Sequence, residues 1–254
     1  MIDYFDRLYV LNLDRRPERF VAFEQHMDTL GWPLGRPIRF AATDGLTLQA
    51  PPGFGQDRGR GFAQHTGCAY ASVLSHIEML RAARKAKVQR LFIFEDDAIA
   101  LRPDTLHDDL THFFRQLPPT WDMVYLGGLV RNTSEHKCYT PNVCRYRGVL
   151  TTHAYGISAK FIPTALNWLV SAGHHDWYGT EGPIDTLYNA LTRIHRSAQV
   201  FGPHDWYFDQ RDWQSDSALD PTARVHVMQQ RIRRKIIGQH RPVYPTLDAP
   251  FEIT

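Results

Sequence analysis

Short apolar, β-prone runs alternate with stretches of helical spacing along most of the chain. Leu8-Tyr9-Val10-Leu11-Asn12-Leu13 is the first such run, and it gives way to Asp14-Arg15-Arg16-Pro17-Glu18-Arg19, where Pro17 suits the first turn of a helix. Phe20, Phe23, Met27 and Leu30 follow at helical spacing and stop at Gly31; Ile38-Arg39-Phe40-Ala41-Ala42 then predicts a second strand before the Asp44-Gly45 turn. A βαβ opening of this kind favours an α/β sheet. Residues 49–61 read as a loop long enough to be either functional or disordered. Val73, Ile77 and Leu80 predict a helix over 68–84, and Arg90-Leu91-Phe92-Ile93-Phe94-Glu95-Asp96-Asp97-Ala98 predicts a buried central strand ending in three carboxylates. Further strands are expected at 123–128 and 153–158, with helices at 161–171, weakened at its start by Pro163, and at 185–194. No repeat or linker divides the chain, so one domain is expected over 1–221, followed by an extension over 222–254.

Composition narrows this picture. With 254 residues, 43% hydrophobic and 22% charged, the chain is ordinary globular material that can bury a core without disulfides or structural metal. Its formal charge of +2 is unevenly spread: Arg224, Arg231, Arg233, Arg234, Lys235 and Arg241 face only Asp248 and Glu252 in the last stretch, a local +4 against −2 for the rest. That asymmetry points to an anionic surface or substrate. Val225, Met228, Ile232 and Ile236 fall on one helical stripe, so the extension reads either as a basic amphipathic helix lying on an anionic membrane or as a helix docked on the body. Three cysteines, Cys68, Cys138 and Cys144, leave an odd thiol and no C-x-x-C pair, which suggests neither a disulfide framework nor a zinc ribbon and fits a reducing compartment. An acidic N-terminus and the lack of a run of about 20 apolar residues fit a cytoplasmic protein, at most peripheral to a membrane.

Candidate chemistry centres on Glu95, Asp96 and Asp97. Adjacent carboxylates disfavour one another's ionised form, and a divalent cation resolves the conflict. Strand alternation would point Glu95 and Asp97 one way and Asp96 the other. The competing reading is an exposed acidic turn. Asn12 and Arg15 sit where the first strand meets a helix, a place from which an Arg fork and backbone N–H groups reach phosphates. Asp44 reads either as an acceptor for ribose or base or as a plain Asp-Gly turn. Trp177-Tyr178 and Trp206-Tyr207 read either as a sugar-stacking platform or as core.

The order of Tyr9 to Arg19, Ser75-His76, Leu91 to Ala98, Tyr155-Gly156-Ile157-Ser158, Pro183-Ile184-Asp185, Gln210 and Ser215-Asp216 resembles glycosyltransferase family 25, which contains lipopolysaccharide and procollagen galactosyltransferases. The resemblance implies a GT-A fold, a Rossmann-like mixed sheet between helices, and an inverting transfer of a hexose, foremost galactose from UDP-galactose, onto a saccharide hydroxyl. It implies Mn²⁺ or Mg²⁺ held by Glu95 and Asp97, with His204 as a further ligand and His226 a weaker one. It also implies donor contacts from Asn12, Arg15, Asp44, Ser75, His76 and Asp96, and a general base at Asp185 or, second, Glu181. One departure stands out: the family's Gly-Cys-Ala-x-Ser-His is replaced by Ala71-Ser72-Val73-Leu74 before Ser75-His76, with Gly67-Cys68-Ala69 lying earlier. Alternatives of other kinds are the same chemistry on protein or modified DNA, for which the arginine-rich tail and Arg58-Gly59-Arg60-Gly61 would serve nucleic acid, and a non-catalytic carbohydrate-binding module.

Overall fold

The computed structural model describes residues 4–52, 54, 66–130, 136–171 and 182–211. Its first unit is β1 (Arg7–Leu13), α1 (Pro17–Thr29) and β2 (Ile38–Ala42), with Pro17 in the first helical turn and Glu18 favourably placed against the helix dipole. Then come α2 (Thr66–Lys85), β3 (Arg90–Glu95), β4 (Ala98–Ala100), α3 (Leu106–Gln116) and β5 (Met123–Tyr125). The chain continues through β6 (Lys137–Cys138), β7 (Cys144–Arg145), β8 (Ala154–Ser158), α4 (Ile162–Val170), α5 (Ile184–Ile194), β9 (Val200–Gly202) and β10 (Phe208–Gln210).

Eight strands form one mixed sheet in the order β2-β1-β3-β8-β5-β9-β7-β6, and β4 pairs with β10 in a small second sheet. The strands β2, β1 and β3 run parallel, β8 runs against both β3 and β5, and β9 runs parallel to β5. This is the expected α/β architecture, a Rossmann-like mixed sheet flanked by helices.

Strand alternation sorts the side chains onto two faces. Tyr9, Leu11, Leu91, Ile93, Met123, Tyr125, Tyr155 and Ile157 pack with α2, α4 and α5 in one core. Leu8, Val10, Phe92, Phe94, Val124 and Ala154 pack with Phe23 and Met27 of α1 and with Leu110 and Phe113 of α3 in the other. Each fully buried side chain of this size contributes about 1.5–3 kcal/mol. Burial on both faces is why these strands read as continuous apolar runs rather than alternating ones.

Several expectations are corrected here. The central strand ends at Glu95; Asp96 and Asp97 form a turn, and the backbone resumes as β4 in the other sheet. Pro163 does not weaken α4, because it falls at the first turn, where its missing N–H has no helical partner to lose. Cys138 and Cys144 face each other across the β6–β7 hairpin and form a disulfide, leaving Cys68 free. An odd count therefore conceals one pair and one thiol, and the inference of a reducing setting from unpaired cysteines loses its premise. No helix among the described residues is long and apolar enough to cross a membrane. The boundary at 221/222, the basic extension, His226, Ser215-Asp216 and Arg58-Gly59-Arg60-Gly61 lie outside the described residues.

Candidate functional site

Parallel strands end at one edge of their sheet, so β1, β2 and β3 deliver their C-terminal residues to a common rim. The antiparallel β8 begins at that rim, since Phe94 stands opposite Ala154 and the Glu95 N–H donates to the His153 carbonyl. Ligands bind at such a rim in open α/β sheets.

Three carboxylates of the rim behave differently. Asp96 is satisfied: its Oδ2 accepts from Asn12 Nδ2 at 2.6 Å, and its N–H donates to the Leu11 carbonyl at 3.2 Å. Glu95 accepts from the Thr152 hydroxyl at 2.6 Å. Burial, and then the charge of Asp97, push its carboxyl up to about 8, with Asp185 and Asp96 adding in the same direction. Asp97 accepts from Gln210 Nε2 at 3.0 Å through Oδ2, whereas its Oδ1 is buried and meets no hydrogen-bond donor among the described residues. Burial and the neighbouring Asp96 raise Asp97 to about 7, against the lowering influence of Gln210 and Arg19. The charges of Glu95 and Asp97 thus oppose ionisation of the pair, and one Asp97 oxygen is buried without a hydrogen-bond partner among the described residues.

Asp185, at the start of α5, belongs to this cluster. Its charge reaches Glu95, its Oδ2 accepts the Thr151 N–H at 3.2 Å, and its Oδ1 accepts the Thr186 N–H at 2.7 Å. The first helical turn favours an acid there in any case. Glu181, the second candidate base, lies outside the described residues, as does Trp177-Tyr178.

Other expected contacts turn inward. Ser75 and His76 are 1% and 0% exposed, so neither side chain faces solvent at the rim. Ser75 Oγ donates to the Ala71 carbonyl and accepts the Thr43 N–H, tying α2 to the end of β2. His76 Nδ1 lies 2.7 Å from the Tyr155 hydroxyl, which is 3.3 Å from that of Tyr188, while Nε2 approaches Glu95 Oε1 at 3.9 Å. Burial drives this imidazole down to about 3, so it is neutral. Asn12 is likewise buried: its amide donates to Asp96 and the Arg16 carbonyl, and its oxygen accepts from Arg39. The expected donor contacts Ser75, His76, Asn12 and Asp96 therefore form the support behind the rim. Arg15 and Asp44 do face outward, joined to each other at 2.7 Å and both partly exposed.

His204 follows β9 and stands 3.0 Å from Asp205, and its charge bears on His136. Among the described residues, no three His, Cys, Asp or Glu side chains gather closely enough to hold a metal ion by themselves, so the expected set Glu95, Asp97 and His204 is not assembled as a cluster. Trp206 stacks on Tyr146 and Tyr207 is buried with its hydroxyl on the Asp109 carbonyl, so the core reading applies to this pair.

Thr151 and Thr152, which the sequence did not single out, connect Asp185 to Glu95 through one backbone N–H and one hydroxyl, and β10 brings Gln210, a position of the resemblance, to Asp97. The only advance signal for the threonines is a polar Thr151-Thr152-His153 run just before an apolar strand.

No family model matches the chain, and no curated protein is detected as a relative. Among solved structures, the chain is similar to a mannose-1-phosphate geranyltransferase from Thermus thermophilus, at 13% identity over 80% of this chain and 75% of that one, with a TM-score of 0.41. It is also similar to a CMP:2-keto-3-deoxy-manno-octonic acid synthetase complexed with CTP, at 10% identity over 92% and 99% of the two chains, with a TM-score of 0.38. A nucleoside-diphosphate-sugar pyrophosphorylase from Vibrio cholerae aligns at 14% identity over 76% and 69%, with a TM-score of 0.29.

Proposed function

We propose that the chain is a metal-dependent inverting glycosyltransferase that moves a hexose from a UDP-sugar, galactose foremost, onto a saccharide hydroxyl of a glycan. The observation that carries this reading is the buried Asp97 Oδ1 with no donor, beside a Glu95 carboxyl whose ionisation is opposed by burial and by Asp97 itself. Clustered buried acids without a cation are costly, and a hard divalent ion removes the cost. The donors are oxygen atoms, as Mn²⁺ or Mg²⁺ prefers, and such an ion needs only one or two carboxylates when substrate phosphates complete its shell. That requirement is compatible with the absence of a three-residue cluster among the described residues.

Asp97 and Glu95 would hold the ion, which when bound supplies charge stabilisation to the departing nucleoside diphosphate. Gln210 fixes Asp97 through Oδ2 and leaves Oδ1 for coordination. Thr152 orients Glu95, and the Asn12–Asp96 bond anchors the turn between them to β1. Asp185, on the other side of Thr151-Thr152, takes the proton of the attacking hydroxyl. Its two backbone hydrogen bonds hold the carboxylate in place. Arg15 and Asp44 face the nucleotide side of the rim.

Thermal shift with UDP, with and without Mn²⁺, is the direct test. A rise that needs both supports the reading, and a chain indifferent to every combination refutes it. Asp185→Asn should retain Mn²⁺-linked UDP binding and lose transfer, with UDP-galactose and a lipopolysaccharide-type saccharide as substrates.

A further inference from the structure

Thr151 combines three properties that a structural residue at this place would not need. Its φ is +71°, a left-handed conformation that is unfavourable for a β-branched residue. Its Oγ1 is buried and meets no hydrogen-bond partner among the described residues. Its N–H is committed to Asp185 Oδ2 at 3.2 Å, while the next residue, Thr152, is committed to Glu95 Oε1 at 2.6 Å. Strain of this kind persists only where the surroundings hold it in place, and every orphaned buried hydroxyl needs an account. Here the two neighbouring hydrogen bonds hold the backbone, and the buried hydroxyl beside them is the group left unsatisfied.

We infer that Thr151 is a substrate-contacting residue whose hydroxyl hydrogen-bonds a ring hydroxyl of the hexosyl group being transferred. This rests on the proposed function. In an inverting displacement the anomeric carbon lies between the base and the leaving group, with the attacking and departing oxygens on opposite sides. Asp185 marks the first side and the Glu95–Asp97 pair the second. The Thr151-Thr152 step joins these two sides through the Thr151 N–H and the Thr152 hydroxyl, and the unsatisfied Thr151 hydroxyl beside them is the group we assign to the hexose. A saccharide hydroxyl both donates and accepts, so it satisfies a threonine hydroxyl in either orientation. UDP without its sugar offers nothing at this position.

Two variants separate this role from a scaffold role. Thr151→Gly removes the hydroxyl and accommodates φ +71° without strain. Thr151→Ser keeps the hydroxyl. The readouts are the thermal midpoint, the Kd of UDP with Mn²⁺ by calorimetry, and kcat/KM for hydrolysis of UDP-galactose without acceptor. We expect Thr151→Gly to keep or raise the midpoint, to leave the UDP Kd within about twofold, and to lower hydrolysis about tenfold, the loss of one hydrogen bond to substrate. Thr151→Ser should stay within about threefold of wild type. Undiminished hydrolysis by Thr151→Gly overturns the inference, as does a UDP Kd weakened by the same factor as hydrolysis. If the wild-type chain neither binds UDP with Mn²⁺ nor hydrolyses UDP-galactose, the proposed function falls first and this contact with it.

Discussion

Replacing Asp97 by Asn should stabilise the metal-free protein while destroying its response to metal. Asp97 has its carboxyl raised from 3.8 to about 7 by burial and the adjacent Asp96, so the folded chain resists the ionisation that the unfolded chain accepts freely. At about 1.36 kcal/mol per pKa unit the shift sets a ceiling of about 4 kcal/mol. Relaxation around the charge, water entry and the unpaired amide hydrogens that Asn introduces reduce this to on the order of 2 kcal/mol. For a chain of this size that is about 4–8 °C in Tm.

The sign of the pH dependence follows from linkage. A raised carboxyl pKa means that the folded state binds the proton more tightly, so wild-type stability is intact below about pH 4 and is lost as pH rises towards about 7. Glu95, raised to about 8, slopes the same way in both proteins. The gap between Asp97→Asn and wild type should therefore be near zero at about pH 4 and fully open by about pH 8. Urea unfolding across that range measures it, and Mn²⁺ with UDP should reverse the order by stabilising wild type alone. An Asp97→Asn variant that is less stable than wild type at about pH 8 without metal would show that the carboxylate is already compensated, and the central premise of the site would be lost.

Two further perturbations test the frame around the site. Gly45→Ala would drive a Cβ into the backbone of Gly67 and Cys68 at the start of α2, displacing the Asp44 end of the Arg15 pair; a loss of about 1–3 kcal/mol in urea unfolding is expected, and a change under about 0.5 kcal/mol would refute the close packing. The Cys138–Cys144 bridge closes a short loop of six-residue separation, so reduction should cost about 2 kcal/mol, and alkylation in denaturant without reductant should label Cys68 alone; three labelled thiols per chain would contradict the bridge.

Legibility in the sequence tracked how much of an element's stability is local. The strands β1, β2 and β3 and the helix α1 were readable because long apolar runs, helical spacing and Pro17 all agree. The strands β6 and β7 are two residues each and join in a hairpin too short for a periodic signal, while β9 and β10 are three residues each and pair with partners far along the chain, so no window contains their cause. Helix α3 was not among the expected elements, although Leu106, Leu110, Phe113 and Phe114 form a stripe that periodicity can detect. For the site, the acidic triplet and Asp185 were visible as residue types. Which direction each side chain takes was not, because a strand end can hand the same residue to solvent or to a neighbour. Asn12 shows this: phosphate contact was expected from its position, but it shares the face of Val10 and finds Asp96 and Arg39 there.

That inward turn of Asn12 explains how one strand end holds three acids in distinct states. Alternation carries Glu95 to the face of Leu91 and Ile93, beside His76, and Asp96 to the face of Phe92 and Phe94, where the Asn12 amide waits. With Asp96 bonded through both its side chain and its N–H to β1, and Glu95 bonded through its N–H to His153, the turn cannot swing outward to relieve the charge. Glu95 and Asp97 are therefore held near each other, with Thr152, Gln210 and Arg19 among the groups that offset them. A free acidic turn would scatter its carboxylates into water and gain little from a cation. A pinned one carries its repulsion permanently, and a divalent ion that binds there recovers that free energy without having to order the ligands. The apolar packing behind the turn, chiefly Phe94 against Phe23 and Phe208, would thus contribute to the affinity for the proposed ion without touching it.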